Sequence, residues 1–390
     1  MSSHADFQQN DPSSAALVAN AFLHSEPSPG LWALAWRRLR ADWVAMVALG
    51  IVAIYLVVLV LSSTGLIASD WSDEVAVNYA PPTFVGAQTA NTGNAAGTVT
   101  EAPPPENPLD PLAGILRKLR ASNTVSLTVP IVANDYGIVD PLQQEMTAIR
   151  AKLAQGGATA IIARKLTLPF GADKWGRDII KKTLKGAETS IVVGLISALL
   201  ATVLGTVFAA ISGYFGGWVD DVFNWFYSIF TSVPYLLLIL AVAAVLQQKG
   251  VLTIVLILGL TGWTGTFRLI RAEYLKHKTR EYVMAADAIG ASHWRKMFSH
   301  IFPNVSHVAL VQLSILVVGF IKSEVILSFL GFGVPVGVVS WGSMLNEAQN
   351  ELILGKWWQL AAASIAMAIL VTAFSLFTDA LRDALDPKLK

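Results

Sequence analysis

Few residues of this chain stand in a pattern that does chemistry. Gly171-Ala-Asp-Lys-Trp-Gly176-Arg-Asp comes nearest to a phosphate-cradling loop. It lacks the lysine and the hydroxyl residue that would follow the last glycine to reach phosphate and magnesium. Gly331-Phe-Gly333 with Gly337 misses the dinucleotide spacing, and neither HExxH nor GxSxG occurs. His293, His300 and His307 fall at no metal-ligand spacing and read as structural. The absence of cysteine excludes disulfides, thiol catalysis and Cys-ligated metals, and leaves the redox compartment open. Lys322 and Glu324 sit in an apolar run, where ionisable groups often line a pathway. Two apart on a helix they point to different faces. Both fall near the outer end of the run, where Lys322 can snorkel. They read as structure or gate lining, not as a proton relay. No catalytic residue, cofactor site or metal site is expected in this chain.

The most informative stretch is polar and lies between two apolar runs: Glu281-Tyr-Val-Met284-Ala285-Ala286-Asp287-Ala-Ile-Gly290-Ala291-Ser-His-Trp-Arg-Lys-Met-Phe-Ser-His-Ile-Phe-Pro303. Its pattern predicts two short helices. Ala285, Ala286 and Ala288 favour helix and are too small to obstruct a facing surface. Gly290 can take the positive φ that ends the first helix. Ser292 is placed to cap the second, and Pro303 to stop it. A small-residue helix ringed by base is shaped to seat in a groove of another protein. The bland alternative is a basic loop that only sets topology.

The elements that carry this loop are membrane spans. Hydrophobic residues make up 54% of the 390-residue chain and charged residues 14%, against about a quarter charged in soluble domains. The net charge of +1 argues against a nucleic-acid binder. Roughly 20 apolar residues cross a bilayer, and six stretches qualify: Trp43–Leu66, Thr189–Ile211, Val222–Leu246, Val251–Ile270, Val305–Leu330 and Trp357–Thr378. Pro234 should kink the third. The polar first thirty residues read as a disordered tail and not a signal peptide. Arg37, Arg38, Arg40, Arg268, Arg271, Lys276, Lys278, Arg280, Arg295, Lys296, Arg382, Lys388 and Lys390 flank one side of the spans. The short loops of the other side offer only Lys249 and Lys356. The positive-inside rule places both termini and the 271–304 loop in the cytoplasm. One turn resists, since Gly213–Asp221 carries Asp220 and Asp221 and no base. The organisation expected is a cytoplasmic tail over 1–42, a first span over 43–66, an extracytoplasmic insertion over 67–167 and a core over 168–390. In the insertion, residues 80–108 have linker composition. Helical and strand periods over 109–153 suggest a small mixed α/β subdomain or amphipathic pieces lying on the membrane.

Ala285-Ala286-x3-Gly290, nine residues, then His300-Ile301-Phe302-Pro303 resembles the "EAA" loop of ABC importer permeases. Met284 replaces the family's usual glutamate, His300 an aliphatic residue and Phe302 a leucine. Three further stretches resemble the C-type permease of the dipeptide, oligopeptide and nickel group. They are Leu168-Pro-Phe-Gly171-Ala-Asp173-Lys-Trp-Gly176-Arg177-Asp178, Ser328-Phe-Leu-Gly331-Phe-Gly333-Val-Pro335 with Ser340-Trp341-Gly342-Ser-Met-Leu345, and the tail Asp379–Lys390. The resemblance covers about 168–390 and the first span; the segment up to Thr167 has no counterpart in it.

That resemblance implies an all-α membrane protein, six transmembrane helices in a type I importer bundle. It implies a coupling role for Glu281, Met284, Ala285, Ala286, Asp287, Gly290, Ala291 and Pro303. A structural or gating role follows for Gly171, Asp173, Gly176, Arg177, Asp178, Glu324, Gly331, Gly333, Trp341 and Gly342. The implied partners are a homologous second permease, two ATPase subunits that hold ATP and magnesium, an extracytoplasmic solute-binding protein and membrane lipid. The implied activity is import of peptides across the bacterial cytoplasmic membrane by alternating access, with nickel chelates or other small solutes as alternative cargo. An ion-coupled secondary transporter would want mid-membrane carboxylates and internal repeats, neither of which is visible. A purely structural or sensory scaffold would have no ATPase partner.

Overall fold

A run that is apolar on every side has no soluble partner to pack against and belongs in lipid. The helices of the computed structural model, which describes residues 31–86 and 164–385, follow that logic. The tail over 1–30, most of the insertion (87–163) and Lys388 and Lys390 lie outside the described residues. A short helix α1 (Leu31–Ala41) leads into α2 (Trp43–Ser63), whose first turn is capped by the Asp42 carboxylate accepting from Val44 N and Ala45 N. Next come α3 (Ile179–Phe215), α4 (Gly217–Thr231), α5 (Tyr235–Leu246), α6 (Val251–Thr261), α7 (Thr264–Lys278) and α8 (Glu281–Ala288). The last three are α9 (Phe302–Phe329), α10 (Trp341–Ile353) and α11 (Trp358–Leu385).

The long helix α3 forms the axis of the bundle and packs against α6, α7 and α9. Its buried stripe is built of small residues, among them Gly194, Ser197, Ala198, Ala201, Gly205, Ala209 and Gly213. In lipid there is no hydrophobic drive between helices, so backbones that approach closely through small residues supply the packing. The opposite face presents Ile196, Leu199 and Val203 to the surroundings. With 37 residues, α3 is roughly 55 Å long at 1.5 Å per residue and overshoots a hydrocarbon core of about 30 Å. It starts ten residues before the expected Thr189, because Asp178 caps it and a polar first stretch keeps it helical beyond the membrane.

Among the described residues five helical runs are long and apolar enough to cross a membrane: Trp43–Ser63, Ile179–Phe215, Val251–Lys278, His293–Phe329 and Trp358–Leu385. Helices α4 and α5 meet at 84° around Pro234 and make a sixth run only if counted together, as a broken span or a re-entrant loop. Pro303 does not stop a helix, contrary to expectation. His293–Arg295, a π-turn at Lys296–Ile301 and α9 run on as one 37-residue span. The wider turn before the ring takes up the clash and lost hydrogen bond that proline imposes.

The expected mixed α/β insertion gains no support. Its proposed helices and strand lie outside the described residues, and the described flanks contain no strand. Isolated bridges Glu74↔Arg177, Ala76↔Lys165 and Pro82↔Leu168 tie the chain leaving α2 to the chain entering α3, and Ala172↔Asp178 closes the turn just before α3.

Candidate functional site

The two ends of α3 carry the two groups of residues singled out above. At its C-terminal end lies the Ala-Ala loop. Helix α8 ends at Ile289, and Gly290 takes φ +78° with open space around it. The left-handed backbone there, and not crowding, favours glycine. Ser292 then accepts from Arg295 N, as a cap should. Ala286 turns inward with Val283, whereas Ala285, Asp287 and Ala288 stay exposed. The small outward face is therefore Ala285 and Ala288, and Ala286 packs within the chain itself.

The loop is pinned from below. Tyr214 of α3 and His293 Nδ1 share a hydrogen bond of 2.9 Å. The Tyr274 hydroxyl donates to Met297 O at 3.2 Å. Lys296 is buried and pairs with Asp287, whose carboxyl it holds below the usual range. Arg271 grips Asp220 through two nitrogens, and Ser212 of α3 donates to the same carboxylate. This pairing accounts for the acidic turn that resisted the charge rule: Asp220 sits at the basic end as the partner of Arg271. On this base Met284, Ile289 and Trp294 point outward with 57%, 83% and 60% of their surface exposed. Glu281 and Asp287, both exposed, are the carboxylates nearest to Met284 in sequence. Ala291 is half-buried beside Gly290, and Pro303 lies in the first turn of α9.

At the other end the dispersed signature residues come together. Asp173 is buried and accepts from Trp175 N (2.8 Å) and Arg177 N (3.0 Å), which closes the 171–178 turn. Gly176 takes φ +84°, and a Cβ there would strike the Ala76 carbonyl, so no other residue fits this crossing. Arg177 lies over the Trp71 ring at 5.4 Å, and Asp178 caps α3. Gly171 lies beneath Trp358, whose Nε1 donates to Ala172 O at 2.7 Å.

One helical layer deeper, Glu324 is fully buried and accepts from Ser190 (2.6 Å) and Ser328 (2.7 Å). Ser190 in turn accepts from Trp341 N at 3.2 Å, and Trp341 Nε1 donates to Thr183 O at 3.1 Å. Gly333 and Gly342 both press on Ser328, and Gly331 forms the turn after α9. Lys322 is exposed on the other side of α9, as the spacing required.

Sequence reasoning missed the centre of this end. Buried Lys182 donates to Asp173 (2.7 Å), Glu347 (2.6 Å) and Gln359 (3.1 Å). Gln359 returns a bond to Met344 O at 3.1 Å. Beside them Glu351 is 1% exposed with neither carboxylate oxygen hydrogen-bonded. Burial pushes its carboxyl up to about 7, with Asp173 and Glu347 adding to the rise and Lys182 opposing it. One signal was available: Ile179, Lys182, Gly186 and Ser190 fall on one face of α3, so Lys182 shares the packed side. The arrangement has no nucleophile–base pair. It locks the start of α3, the 171–178 turn, α10 and α11 together by buried polar contacts.

Residues 201–390 match the binding-protein-dependent transport system inner membrane component family, and residues 30–82 match the N-terminal TM domain of oligopeptide transport permease C. The dipeptide transport system permease protein DppC of Bacillus subtilis (strain 168) is 35% identical over 57% of this chain and 69% of its own length. The oligopeptide transport system permease protein OppC of the same organism is 38% identical over 57% of this chain and 72% of its own. The DppC of Lactococcus lactis subsp. cremoris (strain MG1363) is 31% identical over 93% and 92%. This chain belongs to the inner-membrane permeases of binding-protein-dependent transport. In this permease the family match takes in the Ala-Ala loop, Glu324 and Trp341, while the 171–178 turn lies between the two matched segments.

Proposed function

We propose that this permease is the passage-forming subunit of an ATP-driven peptide importer, with both termini and the 281–303 loop on the cytoplasmic side. The observation that carries the reading is the loop: three large apolar side chains stand exposed on a base pinned to α3, α7 and α9. Apolar groups exposed on a rigid mount outside the membrane mark a docking face. The partner is an ATPase subunit, which alone holds ATP and magnesium; its closure moves the loop and reorients the helices around a central path. A second permease, a second ATPase and an external binding protein complete the assembly. Peptide cargo is supported by what the relatives are called, dipeptide and oligopeptide permeases. The Arg271–Asp220 pair supports the orientation, because it removes the one exception to the charge asymmetry.

Ile289→Asp and Met284→Asp test the reading. Each should leave membrane insertion unchanged, while ATPase subunits no longer co-purify and uptake of a labelled dipeptide or oligopeptide falls at least about tenfold. Full uptake with normal co-purification in both variants sinks the proposal. Uptake lost with assembly intact relocates the docking face.

A further inference from the structure

Helices α1 and α2 pack along α11, and this seam contains two cavities that follow one another. The first, about 430 Å³, is walled by Val47, Ala48 and Ile51 of α2 and Ala368, Thr372 and Ala373 of α11, with Trp43 at its end. Its lining is almost wholly apolar, with small Ala48, Ala368 and Ala373 among larger aliphatic side chains. The second, about 230 Å³, continues toward α1 and the end of α11 and includes Arg38, Asp42 and Asp383. An apolar slot next to a charged one along the same seam matches a lipid, tail in the first and headgroup in the second.

The charges select the headgroup. A guanidinium has five N–H donors, so Arg38 can keep its contact within the protein and still donate to a phosphate. Two carboxylates in the same small cavity repel a purely anionic headgroup and favour a cation that can donate hydrogen bonds. A primary ammonium has three such donors; a quaternary choline has none. Trp36 and Trp43, both exposed, stand where aromatic residues anchor a helix at the membrane surface. Arg40, within 5.3 Å of the Trp36 ring centroid, adds a second base at that level.

We infer that this seam is a binding site for an aminophospholipid of the phosphatidylethanolamine type, with an acyl chain along Val47–Ile51 and Ala368–Ala373 and the headgroup between Arg38 and Asp383. The inference depends neither on the cargo nor on which side the loop faces.

The purified importer complex in detergent is equilibrated with equal amounts of dioleoyl phosphatidylethanolamine, phosphatidylcholine and phosphatidylglycerol and washed. Retained lipid is then quantified by mass spectrometry. The starting protein should hold phosphatidylethanolamine over phosphatidylcholine by about threefold, the size of one partly exposed ionic contact. Asp383→Asn should bring that ratio close to one without changing thermal stability; Asp42 is left alone because it caps α2. Thr372→Trp, which plugs the apolar cavity from an exposed position, should lower retention of all three lipids. Equal retention of the three by the starting protein, a preference for phosphatidylglycerol, or an unchanged ratio in Asp383→Asn overturns the assignment. Release of a protein subunit by Thr372→Trp, with lipid unchanged, also overturns it and makes the seam a protein interface.

Discussion

Glu351 holds a carboxyl whose surroundings disfavour its charge: it is buried, unpartnered and close to two other acids. The folded protein keeps its proton up to about pH 7, whereas the ordinary value is 4.5. Between those values the native state binds a proton that the unfolded chain has released, so stability falls as pH rises through this window. The total loss is on the order of 3 kcal/mol at most. Thermal unfolding of the purified complex from pH 4.5 to 8 should show that decline, and Glu351→Gln should flatten it and be the more stable protein at pH 8. A slope that survives the substitution assigns the effect to another group. Lys182→Met makes the converse test, leaving Asp173 buried and Glu347 half-buried without their cation at a cost of about 3 kcal/mol, most of it from Asp173. A second change, Glu347→Gln, should recover part of that loss in the same unfolding measurement. At this scale the sequence was half legible. Asp173, Gly176, Glu324 and Trp341 stood out because they recur in a known order, but Lys182 and Glu347 are separated by 165 residues. Nothing in either's neighbourhood names the other, and only the meeting of α3 with α10 makes them a pair.

The existence of the long apolar helices was legible from uncharged length, but α1, α10 and the helix ends were not. The spans read as Thr189–Ile211 and Val305–Leu330 each belong to helices of 37 residues. Apolar runs mark where lipid is, and backbone hydrogen bonding continues past that limit into polar turns. Both prolines show the same division. Pro234 sits between two short helices with exposed residues around it, so the chain bends there by 84°. Pro303 follows a π-turn packed by Met297 and Ile301, and the helix continues through it. The wider turn before Pro303 decided between them, and no residue pattern around either ring announces it. Alanine spacing likewise marked helix α8 without saying which alanine faces out; Val283 and Ala286 took the inward side because α8 leans on the π-turn. At Gly290 the backbone is left-handed in open space, so Gly290→Val should cost on the order of 1–2 kcal/mol of loop geometry. Insertion should survive while ATPase co-purification weakens. If Gly290→Val binds ATPase as well as the parent does, the turn tolerates other conformations and does not set the docking pose.

On the scale of the whole molecule, the chain leaves and re-enters its membrane core at one place. Thr83 N donates to Leu168 O at 2.9 Å, and Ala76 and Lys165 are bridged. The residues between can therefore be shortened without pulling the core apart. Replacing residues 88–163 by a short Gly/Ser connector should leave insertion and ATPase assembly intact and lower affinity for the solute-binding protein; unchanged affinity and rate would make the segment dispensable. Single cysteines at Ser292 and Thr98 in this cysteine-free chain should react with an impermeant maleimide from opposite sides, and equal labelling in intact cells would overturn the orientation. The break between α4 and α5 bears on where water goes. Thr231, Ser232, Val233 and Pro234 are all exposed. The hydroxyls of Thr231 and Ser232 turn back onto the carbonyls of Tyr227 and Ile229, and the regular ladder ends at Ser232 N and resumes at the Pro234 carbonyl, so the peptide between them lies outside it. Hydrocarbon does not tolerate such groups; only protein or a water-filled space does. The Pro234 joint therefore cannot face the acyl chains, and its cover has to be another protein surface or water.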